Sequence, residues 1–179
     1  MKKILAVILS IIILTGCSSS KDTPTKKVEK YLSNYQTLSE DVLKDLDDVV
    51  DRENDFNKEQ KTKYKEIMKN HYKNLKYDIK DEIIDGDSAT VTTEIEVTDY
   101  SKIIKEAEAY KESNPSEFND SDGVYDITLF NNYRLDKIKD AKETVKYTID
   151  FTLSKEGNEW IINPLSDIDE SKILGIYEY

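Results

Sequence analysis

The chain has 179 residues, of which 37 are acidic and 26 basic, and its formal net charge is −11. This length suits one domain, and the acidic excess argues against nucleic acid as a partner, because that affinity comes largely from neutralised phosphates. Cys17 is the single cysteine and His71 the single histidine. One copy of the chain therefore lacks the ligands of a usual zinc site and the second thiol of a disulfide, and no cofactor is expected.

The first seventeen residues have the pattern of an export signal. Two lysines precede an uncharged, mostly apolar run at residues 4–14, which is too short to cross a bilayer of roughly 30 Å as a helix. The segment ends in Leu14, Thr15, Gly16 and Cys17, which resemble the lipobox of bacterial lipoproteins. This resemblance implies cleavage between Gly16 and Cys17, so residues 1–16 are predicted to be a signal peptide. An ordinary signal peptide with an incidental cysteine is the alternative.

The same resemblance implies where the protein works. It places a diacylglyceryl group on the Cys17 sulfur, and two or more acyl chains hold a protein stably at a membrane. Residues 17–23 are mostly small and polar, and we interpret them as the lipidated cysteine and a tether that spans under about 30 Å even when fully extended. The expected location is the extracytoplasmic face of the cell membrane.

The next part of the chain, up to about residue 75, has helical periodicity. Thr23 as N-cap and Pro24 at the first position predict the start of one helix that runs to about residue 50, and a second helix is predicted from about Asn57. The apolar stripe of the first helix could also pair with a partner helix, although Ser39 interrupts it; packing on the chain's own sheet is the default. The stripes consist of Val28, Leu32, Tyr35, Val42, Leu46 and Val49, then Tyr64, Ile67, Met68, Tyr72 and Leu75.

From residue 77 the apolar period changes from about three and a half to two, which predicts a β-hairpin with one wet face. Its apolar side consists of Tyr77, Ile79, Ile83, Ala89, Val91, Ile95 and Val97, with a tight turn at residues 85–87. A third helix is predicted from Asp99 to Asn114, followed by a polar surface loop at residues 116–123 and a shorter helix capped by Asp126.

A second alternating run predicts another hairpin. It consists of Val145, Tyr147, Ile149, Phe151, Leu153, Trp160 and Ile162, with its turn at residues 156–158. Ser166 and Gly175 would begin and end a last short helix. The predicted fold is α+β, with N-terminal helices packed on a four-stranded antiparallel curved sheet in two layers, as a single domain over residues 24–179. Phe151 and Trp160 are expected in its core.

The lipobox, the N-terminal helices and a sheet that ends in a hairpin with an aromatic residue near Trp160 resemble small bacterial lipoproteins with NTF2-like or cystatin-like domains. The chain departs from the usual NTF2-like pattern in one respect. A helix-rich connection of about 45 residues separates its two hairpins.

Few residues offer catalytic or metal-binding chemistry. His71 is the only imidazole, and its place in a lysine-rich helix predicts a surface or boundary position with an ordinary pKa near 6.5. The run from Asp120 to Gly123 resembles part of a calcium loop, but Phe118 and Leu129 occupy ligand positions of an EF-hand, so no metal site is predicted.

The polar face of the predicted sheet is a further candidate site. Glu94, Glu96 and Asp150 would lie there among threonines and could form a cleft for cations, a peptide or a glycan. A solvated sheet face is the commoner meaning of such a pattern.

These patterns favour a membrane-anchored extracytoplasmic lipoprotein with a non-catalytic binding or assembly role. Its expected partners are the membrane, through the lipid on Cys17, and a membrane protein, a peptide or a cell-wall glycan. The alternative is an NTF2-like enzyme that acts on a small molecule through His71 and carboxylates. A solute-binding receptor is a third interpretation, but the chain is too short for the two lobes of such receptors.

Overall fold

The computed structural model describes residues 22–178, so the predicted signal peptide, Cys17 and most of the tether lie outside the described residues. No helix within residues 22–178 combines the length and the apolar character that crossing a membrane requires. The elements are α1 (Pro24–Thr37), α2 (Glu40–Arg52), α3 (Lys58–Asn74), β1 (Lys76–Asp85), β2 (Ser88–Thr98), α4 (Tyr100–Ser113), a 3-10 helix (Pro115–Phe118), α5 (Ile127–Asp140), β3 (Thr144–Glu156), β4 (Glu159–Ile162) and α6 (Asp167–Ile173).

The four strands form one antiparallel sheet in the order β1-β2-β3-β4. Alternate side chains of β2 and β3 are buried beneath the helices, and the side chains between them face solvent. This alternation is typical of an antiparallel sheet that is covered on one side only. The prediction of an α+β fold with helices packed on a four-stranded antiparallel curved sheet is confirmed.

The main core lies between α1 and the sheet. Val28 and Leu32 of α1 are fully buried against strand residues that include Phe151 and Trp160. Phe151 has no exposed surface and Trp160 is 6 % exposed, so the prediction that both lie in the core is confirmed. A second cluster joins α2, α3, α4 and α5 around residues such as Ile67.

The prediction of one helix from Thr23 to about residue 50 is wrong, because the chain turns between α1 and α2. Leu38 ends α1 with a φ of 53°, in the left-handed region. Ser39 then caps α2, since its side chain accepts a hydrogen bond from the Val42 N–H. Serine is a favoured N-cap residue. The interruption of the apolar stripe at Ser39 therefore marks the start of a second helix.

The prediction of a polar surface loop at residues 116–123 fits most of the segment but not its start. The segment begins with the 3-10 helix, and Phe118 is buried at its end. The Phe118 ring packs edge-on against Phe130 of α5, with ring centroids 5.3 Å apart. Phe118 therefore fixes this connection to α5, and a single large apolar side chain outweighs the polarity of its neighbours.

A β-bulge changes which residues of β1 face the core. The pairing register between β1 and β2 shifts between Ile79 and Asp81. Ile83 consequently lies opposite Thr90 and is 60 % exposed, so the prediction that it continues the apolar side begun by Tyr77 is wrong. One extra residue reverses the inside–outside alternation of everything that follows it on the strand.

Candidate functional site

The three acidic residues predicted on the polar sheet face are brought together there. Glu94 and Glu96 lie on the outer side of β2, and Asp150 lies opposite Thr92 on β3. Each carboxylate is engaged by a neighbour. The contacts are Glu94 Oε1 to Lys146 Nζ at 2.9 Å, Glu96 Oε1 to Lys76 Nζ at 2.9 Å, and Asp150 Oδ1 to Thr92 Oγ1 at 2.7 Å.

Lysines counterbalance the negative charge on this face. The hydrogen bond and positive charge of Lys146 lower the pKa of Glu94, which also lies 3.6 Å from Lys80. Lys76 likewise lowers the pKa of Glu96. These are exposed pairs, and such pairs add little to stability. On this face, Glu94 and Glu96 are paired with lysines. Its use as a binding cleft stays a prediction.

His71 lies near the C-terminal end of α3 and is 2 % exposed, so the prediction of a surface or boundary histidine is wrong. Its spacing explains the burial: it follows Ile67 by four residues and Met68 by three, which places it on the buried stripe of the helix. His71 Nε2 lies 2.8 Å from the Ile173 carbonyl oxygen. Since a carbonyl only accepts, Nε2 carries the proton and donates it.

The environment of His71 keeps the ring neutral. Burial lowers the pKa of His71 to about 4, and the hydrogen bond to Ile173 opposes that shift only in part. His71 Nδ1 is buried and has no hydrogen-bond partner among residues 22–178. A cavity of about 250 Å³ adjoins the ring, and none of the described residues that line it is an aspartate or a glutamate.

The segment after α6 closes over the His71 ring. Gly175 has a φ of +70°, and a Cβ at this position would lie 2.1 Å from the Thr98 carbonyl oxygen and 3.1 Å from His71 Cε1. The Gly175 carbonyl accepts hydrogen bonds from the N–H groups of Tyr100 at 2.8 Å and Ser101 at 3.0 Å. Only glycine fits this close approach without strain, so Gly175 anchors the C-terminal segment at the start of α4.

The polar run after Phe118 is a turn. Asp120 Oδ1 accepts hydrogen bonds from the N–H groups of Asp122 and Val124, each at 2.9 Å. Such bonding is typical of an Asx turn, which uses the carboxylate to fold the backbone. Within residues 22–178 no group of three or more histidine, cysteine, aspartate or glutamate side chains is placed to hold a metal ion.

A cavity of about 200 Å³ lies where α1, α2, α3 and α6 meet, and we call it the tyrosine pocket. Its walls combine two aromatic rings, aliphatic side chains and two carboxylates. The lining residues include Tyr35, Tyr72, Leu46, Val49, Asp45 and Glu170. Four separate elements supply them, which is why no local sequence pattern predicts the pocket.

The two tyrosines of the pocket are held in place by neighbouring rings. Tyr35 and Tyr72 pack edge to face, with centroids 5.1 Å apart and an interplanar angle of 75°. The Tyr35 hydroxyl lies 3.2 Å from the Tyr31 hydroxyl. Burial raises the pKa of both Tyr35 and Tyr72, and the charge of Asp45 acts in the same direction. The hydroxyls therefore remain protonated at neutral pH, and the negative charge of the pocket comes from carboxylates alone.

The polar groups of the pocket retain hydrogen-bonding and charge capacity. Tyr72 is 6 % exposed, and within the described chain its hydroxyl forms no hydrogen bond. Asp45 and Glu170 are exposed, and neither forms an ion pair with a lysine or arginine of residues 22–178. By contrast, the wider groove of about 750 Å³ along α3 contains Lys63 and Glu66, which already pair with Asp136 and Lys69.

The comparison with known families found a match at the N-terminus of the chain. Residues 1–18 match the model of the prokaryotic membrane lipoprotein lipid attachment site. This match confirms the lipobox, and the protein is a membrane-anchored lipoprotein. The matched span includes Cys17 and ends before the first described residue. Neither the curated proteins nor the solved structures include one that matches this lipoprotein.

The first described residue, Asp22, is held by contacts with β4 and α1. Asp22 Oδ2 accepts a hydrogen bond from the Trp160 N–H at 2.8 Å, and Asp22 Oδ1 lies 2.9 Å from Lys27 Nζ. Thr23 then caps α1, as predicted, by accepting from the Lys26 N–H. The described chain therefore enters the domain at the start of α1, beside the turn at Gly86.

Proposed function

We propose that this lipoprotein is an extracytoplasmic module with a non-catalytic binding role and that the tyrosine pocket is its binding site. The observation that carries the proposal is the composition of that pocket. It places aromatic and aliphatic walls beside two carboxylates without ion-pair partners in residues 22–178, and a few convergent polar groups in an apolar concavity are typical of ligand sites. The occupant is a group presented by a membrane protein, a peptide or a cell-wall component.

The short tether supports a role close to the membrane. Five peptide steps separate Cys17 from Asp22, and at roughly 3.3–3.6 Å each they span at most about 18 Å. With Cys17 as the lipidated residue, residues 17–23 as lipidated cysteine and tether, and residues 24–179 as one domain, the start of α1 is held near the membrane surface. A binding module this close to the membrane can contact membrane proteins and the inner layer of the cell wall.

The surroundings of His71 count against the enzymatic alternative. A general base must reach the proton that it removes, and His71 offers one nitrogen that donates to Ile173 and a second that is buried. The pKa of about 4 also makes the ring a weak base. The NTF2-like or cystatin-like resemblance rests on element order alone and adds no catalytic residue.

Anchoring at Cys17 is tested by labelling and by surface proteolysis. The wild-type protein should incorporate radioactive palmitate, accumulate as a precursor under an inhibitor of the lipoprotein signal peptidase, and be digested by protease added to intact cells or spheroplasts. The Cys17→Ala variant should incorporate no palmitate and no longer respond to the inhibitor. Palmitate that persists in Cys17→Ala, or protection of the wild-type domain from added protease, would contradict the proposal.

The binding role is tested by closing the pocket without touching its charges. Val49 lines the pocket and is 46 % exposed, so Val49→Trp adds bulk at the mouth. Ile168 of α6 is 54 % exposed and lies outside the lining, so Ile168→Trp is the matched control. At equal abundance, Val49→Trp should fail to complement a deletion strain and Ile168→Trp should succeed. Equal complementation by both variants would rule out the tyrosine pocket as the working site.

A further inference from the structure

We propose that His71 and the residues that cover it form an acid-sensitive latch on one wall of the tyrosine pocket. The covering residues are 173–178, which we call the strap. The strap lies over the His71 ring at neutral pH and separates from it in acid. Because Ile173 and Leu174 of the strap line the tyrosine pocket, its release removes part of that site. This inference rests on the proposed binding role and adds the regulation of the same site.

Two backbone carbonyls hold the strap in place. The Ile173 carbonyl oxygen lies 2.8 Å from His71 Nε2, and the Gly175 carbonyl accepts hydrogen bonds from the N–H groups of Tyr100 and Ser101. A Cβ on Gly175 would lie only 3.1 Å from His71 Cε1. Since Cε1 lies between the two nitrogens of an imidazole, the strap covers the ring edge at which protons are gained and lost.

Protonation of His71 is incompatible with the closed strap. Nε2 already carries a proton and donates it to Ile173, so the second proton must go to Nδ1. Nδ1 is buried and has no hydrogen-bond partner in residues 22–178. A buried donor without an acceptor is costly, and a buried charge without a partner costs more. Separation of the strap admits water to this edge of the ring, so protonation favours the open state.

The groups around the ring do not offset the cost of a positive charge. Asp99, just before α4, already accepts hydrogen bonds from the Ser101 hydroxyl at 2.8 Å and the Lys102 N–H at 3.2 Å. Ile173 and Gly175 of the strap are uncharged. The remaining titratable residues that pack on the ring or line the cavity beside it are Tyr72, Tyr100, Lys139 and Lys142. Lysines disfavour a further positive charge.

The strap is built to open on its own. It follows α6, which has only seven residues, and residues 174–178 contain no helix or strand. An isolated helix of that length is not stable in water, so the position of α6 depends on its docking. Segments with few backbone hydrogen bonds open at a lower free energy than core strands do. Ile173 is buried in the main core and keeps the strap closed at neutral pH.

The expected response follows from the two states of the ring. The pKa of His71 is about 4 beneath the closed strap, and an exposed imidazole has a pKa of about 6.5. Above pH 6.5 the ring is neutral in both states. As the pH falls towards 4, the open state binds a proton that the closed state does not. The ratio of open to closed strap should therefore rise about twentyfold between pH 7 and pH 5.

Hydrogen exchange measured by mass spectrometry tests the latch on the lipidated protein in nanodiscs of zwitterionic lipid. Rates at pH 7 and pH 5 are corrected for the pH dependence of exchange in an unfolded chain. The strap is followed through the N–H groups of Leu174, Gly175 and Ile176, which bond to carbonyls of α6, and Phe151 of β3 is the reference. At both pH values the opening constant of the strap should exceed that of β3 by at least about tenfold. Equal opening constants would overturn the latch.

Two matched variants identify the group that titrates. His71→Gln can still donate to the Ile173 carbonyl but takes up no proton, so the twentyfold rise should disappear. Asp169→Asn removes a carboxylate of α6 that bonds to Lys172 and Ser166 and has a lowered pKa, so the rise should remain. A constant strap opening in the wild type, a rise that persists in His71→Gln, or one that is lost in Asp169→Asn would each overturn the latch.

The two proposals fail separately. The comparison of the strap with β3 in the wild type requires no variant to fold and no ligand to be known. A strap that opens only with β3 would overturn the latch and leave the tyrosine pocket as the proposed binding site. The binding role fails instead if Val49→Trp complements as well as Ile168→Trp, whatever the strap does.

Discussion

The burial of His71 predicts a loss of stability in mildly acidic solution. Its pKa is about 4 in the folded protein, against about 6.5 in an unfolded chain. Above pH 6.5 the ring is neutral in both states and does not affect their balance. As the pH falls below 6.5 the unfolded chain takes up a proton that the folded protein cannot accommodate, so the free energy of unfolding decreases. The loss continues down to about pH 4, below which both states are protonated.

The size of this effect follows from the two pKa values. The difference of about 2.5 pKa units corresponds to about 3 kcal/mol over the whole range, of which about 2 kcal/mol is lost between pH 7 and pH 5. His71 is the only histidine, so no other side chain with an ordinary pKa titrates in the middle of that interval. The carboxylates with lowered pKa values, such as Glu94 and Asp169, contribute only at lower pH.

The assay is urea unfolding of the chain from Ser18 onward at pH 7 and pH 5, followed by the fluorescence of Trp160, the only tryptophan. The control is His71→Gln, whose amide can still donate to the Ile173 carbonyl but does not titrate. The variant should be less stable at pH 7 because its packing is poorer, yet it should lack the extra loss of about 2 kcal/mol at pH 5. The same pH dependence in both proteins would refute the burial of a neutral His71.

Two substitutions test the packing of the core and of the C-terminal segment. Phe151→Ala should lower the free energy of unfolding by about 3–5 kcal/mol in a denaturant titration. Thr148→Ala, on the exposed side of the same strand, should change it by less than about 0.5 kcal/mol. A small change in both variants would mean that the strand faces the other way. Gly175→Ala should cost about 3 kcal/mol or more, because a positive φ and a clash with the Thr98 carbonyl combine, while Gly123→Ala should cost only the conformational penalty of about 1–2 kcal/mol. Equal costs at the two glycines would contradict the close approach at Gly175.

Local chemistry made much of the fold predictable from the sequence. Thr23, Asp99, Asp126 and Ser166 each accept a hydrogen bond at the start of a helix, as their positions before apolar runs predict. The alternation around Phe151 likewise identified the buried side of β3. Caps and strand alternation depend on residues a few positions apart, so the sequence contains the whole signal.

The predictions that were wrong concern side chains whose burial depends on contact with an element distant in sequence. Phe118 lies in a polar run, and its contacts with α4 and α5 explain its burial. His71 is surrounded by lysines in sequence, but the docking of α6 and Gly175 encloses its ring. Its spacing from Ile67 was a usable signal, because a stripe of threes and fours includes it.

The tyrosine pocket depends entirely on tertiary structure. Tyr35 and Asp45 come from helices separated by the break at Leu38, and Glu170 belongs to the last helix of the chain. The apolar stripes predicted that the tyrosines are core or boundary residues, but nothing in the sequence relates Glu170 to Asp45. The acidic sheet face, by contrast, was predictable from alternation, although the pairing of its carboxylates with lysines was not.

The central claim is that this lipoprotein acts by binding and not through His71 chemistry, and complementation of a deletion strain by His71→Gln tests it most directly. At neutral pH and at wild-type abundance, verified by immunoblot, His71→Gln should restore the wild-type phenotype in full. An enzyme that used His71 as general base would lose about two to four orders of magnitude in rate on the same change. Failure of a folded, fully abundant His71→Gln protein to complement would contradict the binding account and make the small-molecule enzyme the better description.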